Sequence, residues 1–60
     1  HLLGAHGVVE RVTAEANWVR LDGELWHAEC DQALDEEDEV TVDALDGLVL
    51  KVTKARDGES

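Results

Sequence analysis

The stretch Val19-Arg20-Leu21-Asp22-Gly23-Glu24-Leu25-Trp26-His27-Ala28 decides the fold. Two runs that alternate apolar and polar residues meet there at an Asp-Gly pair, which suits a type I′ turn because both central residues of that turn need positive φ. The stretch therefore predicts a β-hairpin with a two-residue loop. In that register Leu21 faces Glu24, Arg20 faces Leu25, Val19 faces Trp26 and Trp18 faces His27, and residues directly opposite share a face. One face collects Val19, Leu21, Trp26, Ala28 and Cys30, and the other carries Trp18, Arg20, Leu25, His27 and Glu29. A three-residue loop over Leu21-Asp22-Gly23 would pair Trp18 with Trp26 and Val19 with Leu25, exchanging the two faces. The first register gathers the more uniformly apolar set, placing Trp26 inside and Trp18 outside.

The phrase returns as Ala44-Leu45-Asp46-Gly47-Leu48-Val49-Leu50. A two-residue loop at Asp46-Gly47 would set Val42 against Lys51, apolar against charged. A three-residue loop over Leu45-Asp46-Gly47, with Gly47 left-handed, instead pairs Ala44 with Leu48, Val42 with Leu50 and Val40 with Val52, which closes an apolar face. The expected strands are Val8 to Ala14, Trp18 to Leu21, Glu24 to Cys30, Val40 to Leu45 and Leu48 to Lys54, with a first break at Glu15-Ala16-Asn17. Gly4 and Gly7 point to a bent or closely packed start. A phosphate-binding role for this Gly-x-x-Gly is disfavoured, because no helix follows it and the surrounding charge has the wrong sign. Asp31 to Glu39 reads as an acidic loop or one helical turn with a single apolar anchor, Leu34.

Five short strands, two tight hairpins and one longer connection predict an all-β fold, a small five-stranded antiparallel barrel of the OB-fold type; an SH3-like barrel is the alternative. Closure removes the edges that a lone sheet would expose. Residues 1–56 form one domain in this reading. Residues 57–60 form a disordered tail, the segment from Arg56 onward having no apolar residue.

A chain of 60 residues makes one domain at most, and a domain of that size buries only about 60% of its unfolded surface, leaving little room for a pocket. Phe, Tyr and Met are absent, so the core must be Val, Leu and Ala around Trp18, Trp26 or both. Fifteen acidic against five basic residues give a formal charge of −10. Such a chain repels phosphate backbones and anionic membrane surfaces, which argues against nucleic-acid partners. A solvated acidic shell or a high-salt habitat accounts for the excess. The lone Cys30 excludes an internal disulfide and a zinc ribbon, and fits a small buried hydrophobe in a reducing compartment. No run approaches the ~20 apolar residues of a membrane helix, and no signal peptide is evident. The abrupt opening His1-Leu2-Leu3-Gly4 reads as a piece of something longer.

Catalysis needs partners that can meet. No serine precedes Ser60, and Cys30 and His27 are three apart on an expected strand, on opposite faces. The five acids of Asp35-Glu36-Glu37-Asp38-Glu39 lack the ligand spacing and central glycine of an EF-hand loop. His1, His6 and His27 are too scattered in sequence to compose a metal site. No catalytic residue, cofactor site or metal site is therefore expected. Trp18 differs: outward-facing beside Arg20, Leu25 and His27, it makes these four residues the candidate partner-binding set, since Trp and Arg are favoured in interface hot spots. The competing reading is a Trp18 covered by the first strand or the tail.

In order and spacing, Gly7, the alternating strand after it, the Val19 to Ala28 hairpin, the acidic connection, Val40-Thr41-Val42 and Leu45-Asp46-Gly47-Leu48-Val49-Leu50-Lys51-Val52 resemble the C-terminal soluble domain of NfeD-like membrane proteins. The resemblance runs from about Leu3 to Val52. It implies an OB-fold barrel hung from transmembrane helices upstream of His1, associated with stomatin- or flotillin-like membrane scaffolds and with membrane protease systems, and facing the cytoplasm. Longer members add a serine protease domain that has no counterpart here, so no catalytic residue carries over. The chain departs from the family at two loops. Thr13-Ala14-Glu15-Ala16-Asn17 lacks the usual Pro-containing bend, and Glu37-Asp38-Glu39 stands where a glycine is favoured before the fourth strand.

Overall fold

The computed structural model describes residues 2–55; His1 and the expected tail lie outside them. Five strands, β1 (His6–Val12), β2 (Asn17–Leu21), β3 (Glu24–Glu29), β4 (Glu39–Asp46) and β5 (Val49–Lys54), form a closed barrel in the order β1-β2-β3-β5-β4. No helix occurs among the described residues. Four of the five pairings are antiparallel, and β3 with β5 is parallel. The expected barrel is thus present, with one parallel seam that the hairpin pattern alone does not predict.

The first hairpin has the predicted register. Asp22 and Gly23 both take positive φ, 55° and 80°, as a type I′ turn requires. Leu21 pairs with Glu24, Arg20 with Leu25, Val19 with Trp26 and Trp18 with His27. Val19, Leu21 and Ala28 are accordingly buried, and Trp26 and Cys30 pack half-buried against the core. Neither indole joins the fully buried set, so the core is aliphatic: Val9, Val19, Leu21, Ala28, Leu34, Val40, Val42, Leu50 and Val52.

The second hairpin differs from its expected register. The turn is Gly47-Leu48, Asp46 pairs with Val49, Leu45 with Leu50 and Ala44 with Lys51, and a bulge at Asp43 restores Val42 opposite Val52. Gly47 takes φ 65° while Leu48 does not have positive φ, the pattern of a turn that needs glycine at its first central position. The expected pairs Val42–Leu50 and Val40–Val52 are therefore displaced by two residues. An even displacement keeps parity, so Val40, Val42, Leu50 and Val52 still point inward. Tertiary pairing sets the phase: β3 fixes Leu50 beside Ala28, and the bulge absorbs the odd residue.

β1 closes the barrel by pairing with β4 through His6–Val8 and with β2 through Val8–Val12. A bulge at Glu10 bends it, and Gly7 lets it approach β2. A Cβ at Gly7 would stand 2.7 Å from Val19 Cγ1 and 3.0 Å from the Arg20 carbonyl oxygen. Of the bent or closely packed start expected from the early glycines, the close packing is found at Gly7, and the bend of β1 lies at Glu10. β1 starts earlier than expected and stops at Val12, because Thr13 folds the chain over: its Oγ1 accepts from the N–H groups of Glu15 and Ala16 and donates to the Ala16 carbonyl.

The acidic connection is a built turn and contains no helical turn. Leu34 inserts into the core. Asp38 N–H donates to the Asp35 carbonyl at 3.1 Å, and Asp35 N–H donates to Asp38 Oδ2 at 2.9 Å. Glu37 N–H and the Asp38 carbonyl then bond Val9, each at 2.8 Å. Glu37 takes φ 78°, so a side-chain-bearing residue holds the left-handed conformation at a cost of about 1–2 kcal/mol.

Two stability changes follow. Gly7→Ala lowers stability by about 1–3 kcal/mol through overpacking against Val19, read as a lower urea midpoint with an unchanged slope. Glu37→Gly raises it by roughly 0.5–1 kcal/mol, the relief of φ strain exceeding the entropy that glycine adds to the unfolded chain.

Candidate functional site

The sequence-selected residues Trp18, Arg20, Leu25 and His27 form two adjacent cross-strand pairs on the outer face of β2 and β3. The I′ turn places them there, since it sets the parity that sends Val19, Leu21 and Ala28 inward. Trp18 is half-buried. The His27 imidazole stacks on its indole, with ring centroids 5.3 Å apart and planes 27° from parallel. Such offset stacks fix ring orientation. Leu25 is 51% exposed, and Val8, across β2 at the level of Arg20, is 41% exposed.

Arg20 does not stand free. Its Nε donates to Glu10 Oε1 at 2.9 Å, from the bulge of β1. This hydrogen bond, with the attraction of the two charges, holds the Glu10 carboxyl below its ordinary value of 4.5 and raises Arg20 above its own. The Arg20 guanidinium is thereby held toward β1, where Arg11, opposite Trp18, also acts on Glu10. Sequence reasoning does not find Glu10 as part of this surface, because its approach depends on the bulge.

On the far side of His27, β3 meets β5. His27 pairs in parallel with Val49, and Glu29 with Lys51, whose Nζ donates to Glu29 Oε1 at 2.9 Å. That bond depresses the Glu29 carboxyl and raises Lys51. Here a groove of about 1130 Å3 is bounded by β3, β5 and the Asp43 bulge of β4, by the Thr13–Ala16 turn and by the loop after β3, with the core residues Ala28, Leu34 and Val52 in its lining. Thr53 Oγ1 donates to Asp43 Oδ2 within it. Cys30, a free thiol, is half-buried at its edge, its Sγ accepting from Gln32 N–H at 3.4 Å. Among the described residues no three His, Cys, Asp or Glu side chains cluster as metal ligands, and no helix is long and apolar enough to cross a membrane.

The barrel and its outer surface can be set against known proteins. Residues 1–54 match the family described as the NfeD-like C-terminal, partner-binding domain. The chain belongs to that family. Among solved structures, this NfeD-like domain is similar to the C-terminal domain of a stomatin operon partner protein from Pyrococcus horikoshii, at 28% identity and a TM-score of 0.83, covering 93% of this chain and 91% of that one. It is also similar to the soluble domain of a membrane protein implicated in regulation of membrane protease activity from Corynebacterium glutamicum, at 30% identity and a TM-score of 0.78, covering 90% and 94% of the two chains. Among curated proteins none matches the NfeD-like domain.

The ion pair beneath the surface gives a pH signature. Because the folded pKa of Glu10 lies below the unfolded one, its contribution to stability is full above the ordinary carboxylate value of 4.5 and is lost as pH falls through the depressed folded value. Glu10→Gln is therefore less stable than the parent at about pH 7, and the difference narrows as pH falls below the ordinary carboxylate range, as measured by paired urea denaturation curves. The effect is small, both partners being exposed to solvent.

Proposed function

We propose that this chain is a noncatalytic docking domain of a membrane-anchored NfeD-like protein, and that the outer face of β2 and β3 binds a protein partner. The observation that carries this reading is the outward Trp18–His27 stack beside half-exposed Leu25 and the oriented Arg20. A rigid aromatic next to an aliphatic side chain and a guanidinium has the composition of an interface hot spot. Its ordering before binding lowers the entropy lost on association. The family description as partner-binding supports the reading, and the name of the Pyrococcus relative supports a stomatin-type membrane scaffold as the partner. The implication of the Corynebacterium relative in regulating membrane protease activity supports a link to a membrane protease system. The lone free thiol supports a cytoplasmic location.

OB-type barrels also use the face of strands two and three for oligonucleotides. That use needs a basic groove and several stacking aromatics. Here the chain carries −10 overall, and Arg20, the guanidinium of this face, is tied to Glu10.

The two indoles report the outcome separately. On titration with the soluble domain of a stomatin-type protein, the Trp18 indole N–H resonance moves and that of Trp26 does not. Leu25→Ala weakens the complex about tenfold. A shift confined to Trp26, or movement of Trp18 by single-stranded oligothymidylate at low salt, would overturn this assignment.

A further inference from the structure

The outer face of β2 and β3 does not end at Leu25. Continued two residues back from His27–Val49, the parallel register brings Leu25 level with the Gly47-Leu48 turn. Leu48 at that tip is 81% exposed, whereas Leu45, paired with inward Leu50, belongs to the inner face at the barrel's end and not to this one. Single exposed leucines are ordinary, whereas Leu25 and Leu48 at one level, on the face that carries a stacked aromatic pair, suit an interaction surface. In the other direction His27 leads into the groove bounded by β3, β5 and the Asp43 bulge of β4. The groove is lined by the carboxylates of Glu15, Glu29, Asp31 and Asp43, and its Lys51 is tied to Glu29. An apolar patch therefore opens into an anionic channel.

We infer that this double surface takes an extended protein segment in which apolar residues adjoin Lys or Arg. The apolar side chains lie over Leu25, Leu48 and the Trp18–His27 stack, and the cationic ends reach into the groove. The inference rests on the docking face proposed above and adds the chemistry of what docks there. Charge selects the occupant. A second copy would bring another −10 against the first, and an anionic membrane would be repelled in the same way. A cationic segment is steered in by the field of the whole domain, and complementary charge suppresses wrong partners. Ion pairs with Glu10, Glu29 and Asp38 occupy Arg20, Lys51 and Lys54; Arg11, opposite Trp18 on β1, is outside these pairs, which places the cationic ends of the segment toward the groove and away from β1.

Calorimetric titration with synthetic peptides of about nine residues, alternating Leu with Lys, Gln or Glu, tests this. The Leu-Lys peptide is expected to bind saturably, about tenfold more weakly to Leu48→Ser and to the Glu15→Gln/Asp31→Asn double variant. Its affinity falls steeply between about 50 mM and about 500 mM NaCl, and the Leu-Glu peptide does not bind. Both substitutions lie on exposed turns and loops, so the circular dichroism of the fold serves as the control. Absence of binding by any of the peptides would overturn the inference. Leu-Gln binding as tightly as Leu-Lys, and lost with Leu48→Ser, would overturn the cationic occupant and leave the docking face standing. Leu-Lys binding unmoved by both Leu48→Ser and Leu25→Ser would remove the face itself. A Leu48-dependent dimer in sedimentation, or Leu48-dependent binding to phosphatidylcholine vesicles, would replace the proposed occupant by a second copy or a lipid surface.

Discussion

Side-chain parity along β2 and β3 is the constraint on which the rest of this barrel depends. A barrel this narrow has one set of inward positions, and Val19, Leu21 and Ala28 fill its share on these two strands. Asp22 and Gly23 fix that parity by both adopting positive φ, and a slip of one residue would send Trp18 and Leu25 inward and Val19 out. The neighbours are built around the choice. Gly7 lets β1 approach Val19 closely, and β5 sets Leu50 beside Ala28. The same turn that makes the core makes the outer surface, because each inward residue commits its neighbours outward.

The acidic excess acts at two levels. Much of it is a solvated shell, as the composition suggests. Part of it is structural: Asp38 accepts from Asp35 N–H, and the Asp35–Asp38 turn is bonded to Val9 through its backbone while Leu34 enters the core. The acids of this connection thus ride on a turn whose position is set by backbone hydrogen bonds and one buried leucine. Glu37 shows the tension in such an arrangement, holding a left-handed φ within that turn.

Legibility in the sequence follows the range of the interactions involved. The first hairpin is readable to the residue pair, since turn chemistry and alternation are both local. From it follows the outer set Trp18, Arg20, Leu25 and His27, which the structure does place together. The stack on Trp18 is implicit in the Trp18–His27 pairing but not visible there as a stack. In the second hairpin only parity is readable. Its phase is set by the parallel seam with β3 and by a bulge at Asp43, neither of which leaves a mark in the local pattern. For the same reason Leu48 reads as a strand residue and is the tip of a turn, and the approach of Glu10 to Arg20 has no local signal. The aliphatic core is half legible: the valines are expected inside, but Trp26 stops at its margin and Trp18 lies on the outer face.

Closure also limits how such a domain can recognise anything. The strand order closes on itself, which leaves no whole strand edge free for a partner strand; only short stretches, residues 24–26 of β3 and 52–54 of β5, lie outside the pairing along the parallel seam. No polar or charged side chain is buried among the described residues, so their interior holds no polar site for a conformational change to uncover. Recognition then draws chiefly on outward side chains of the wall. Much of that wall is carboxylate, well hydrated and costly to strip of water. The β2–β3 face is where aromatic and aliphatic surface is already ordered, with its guanidinium anchored by Glu10. There a partner can gain from apolar contact without first desolvating an isolated charge.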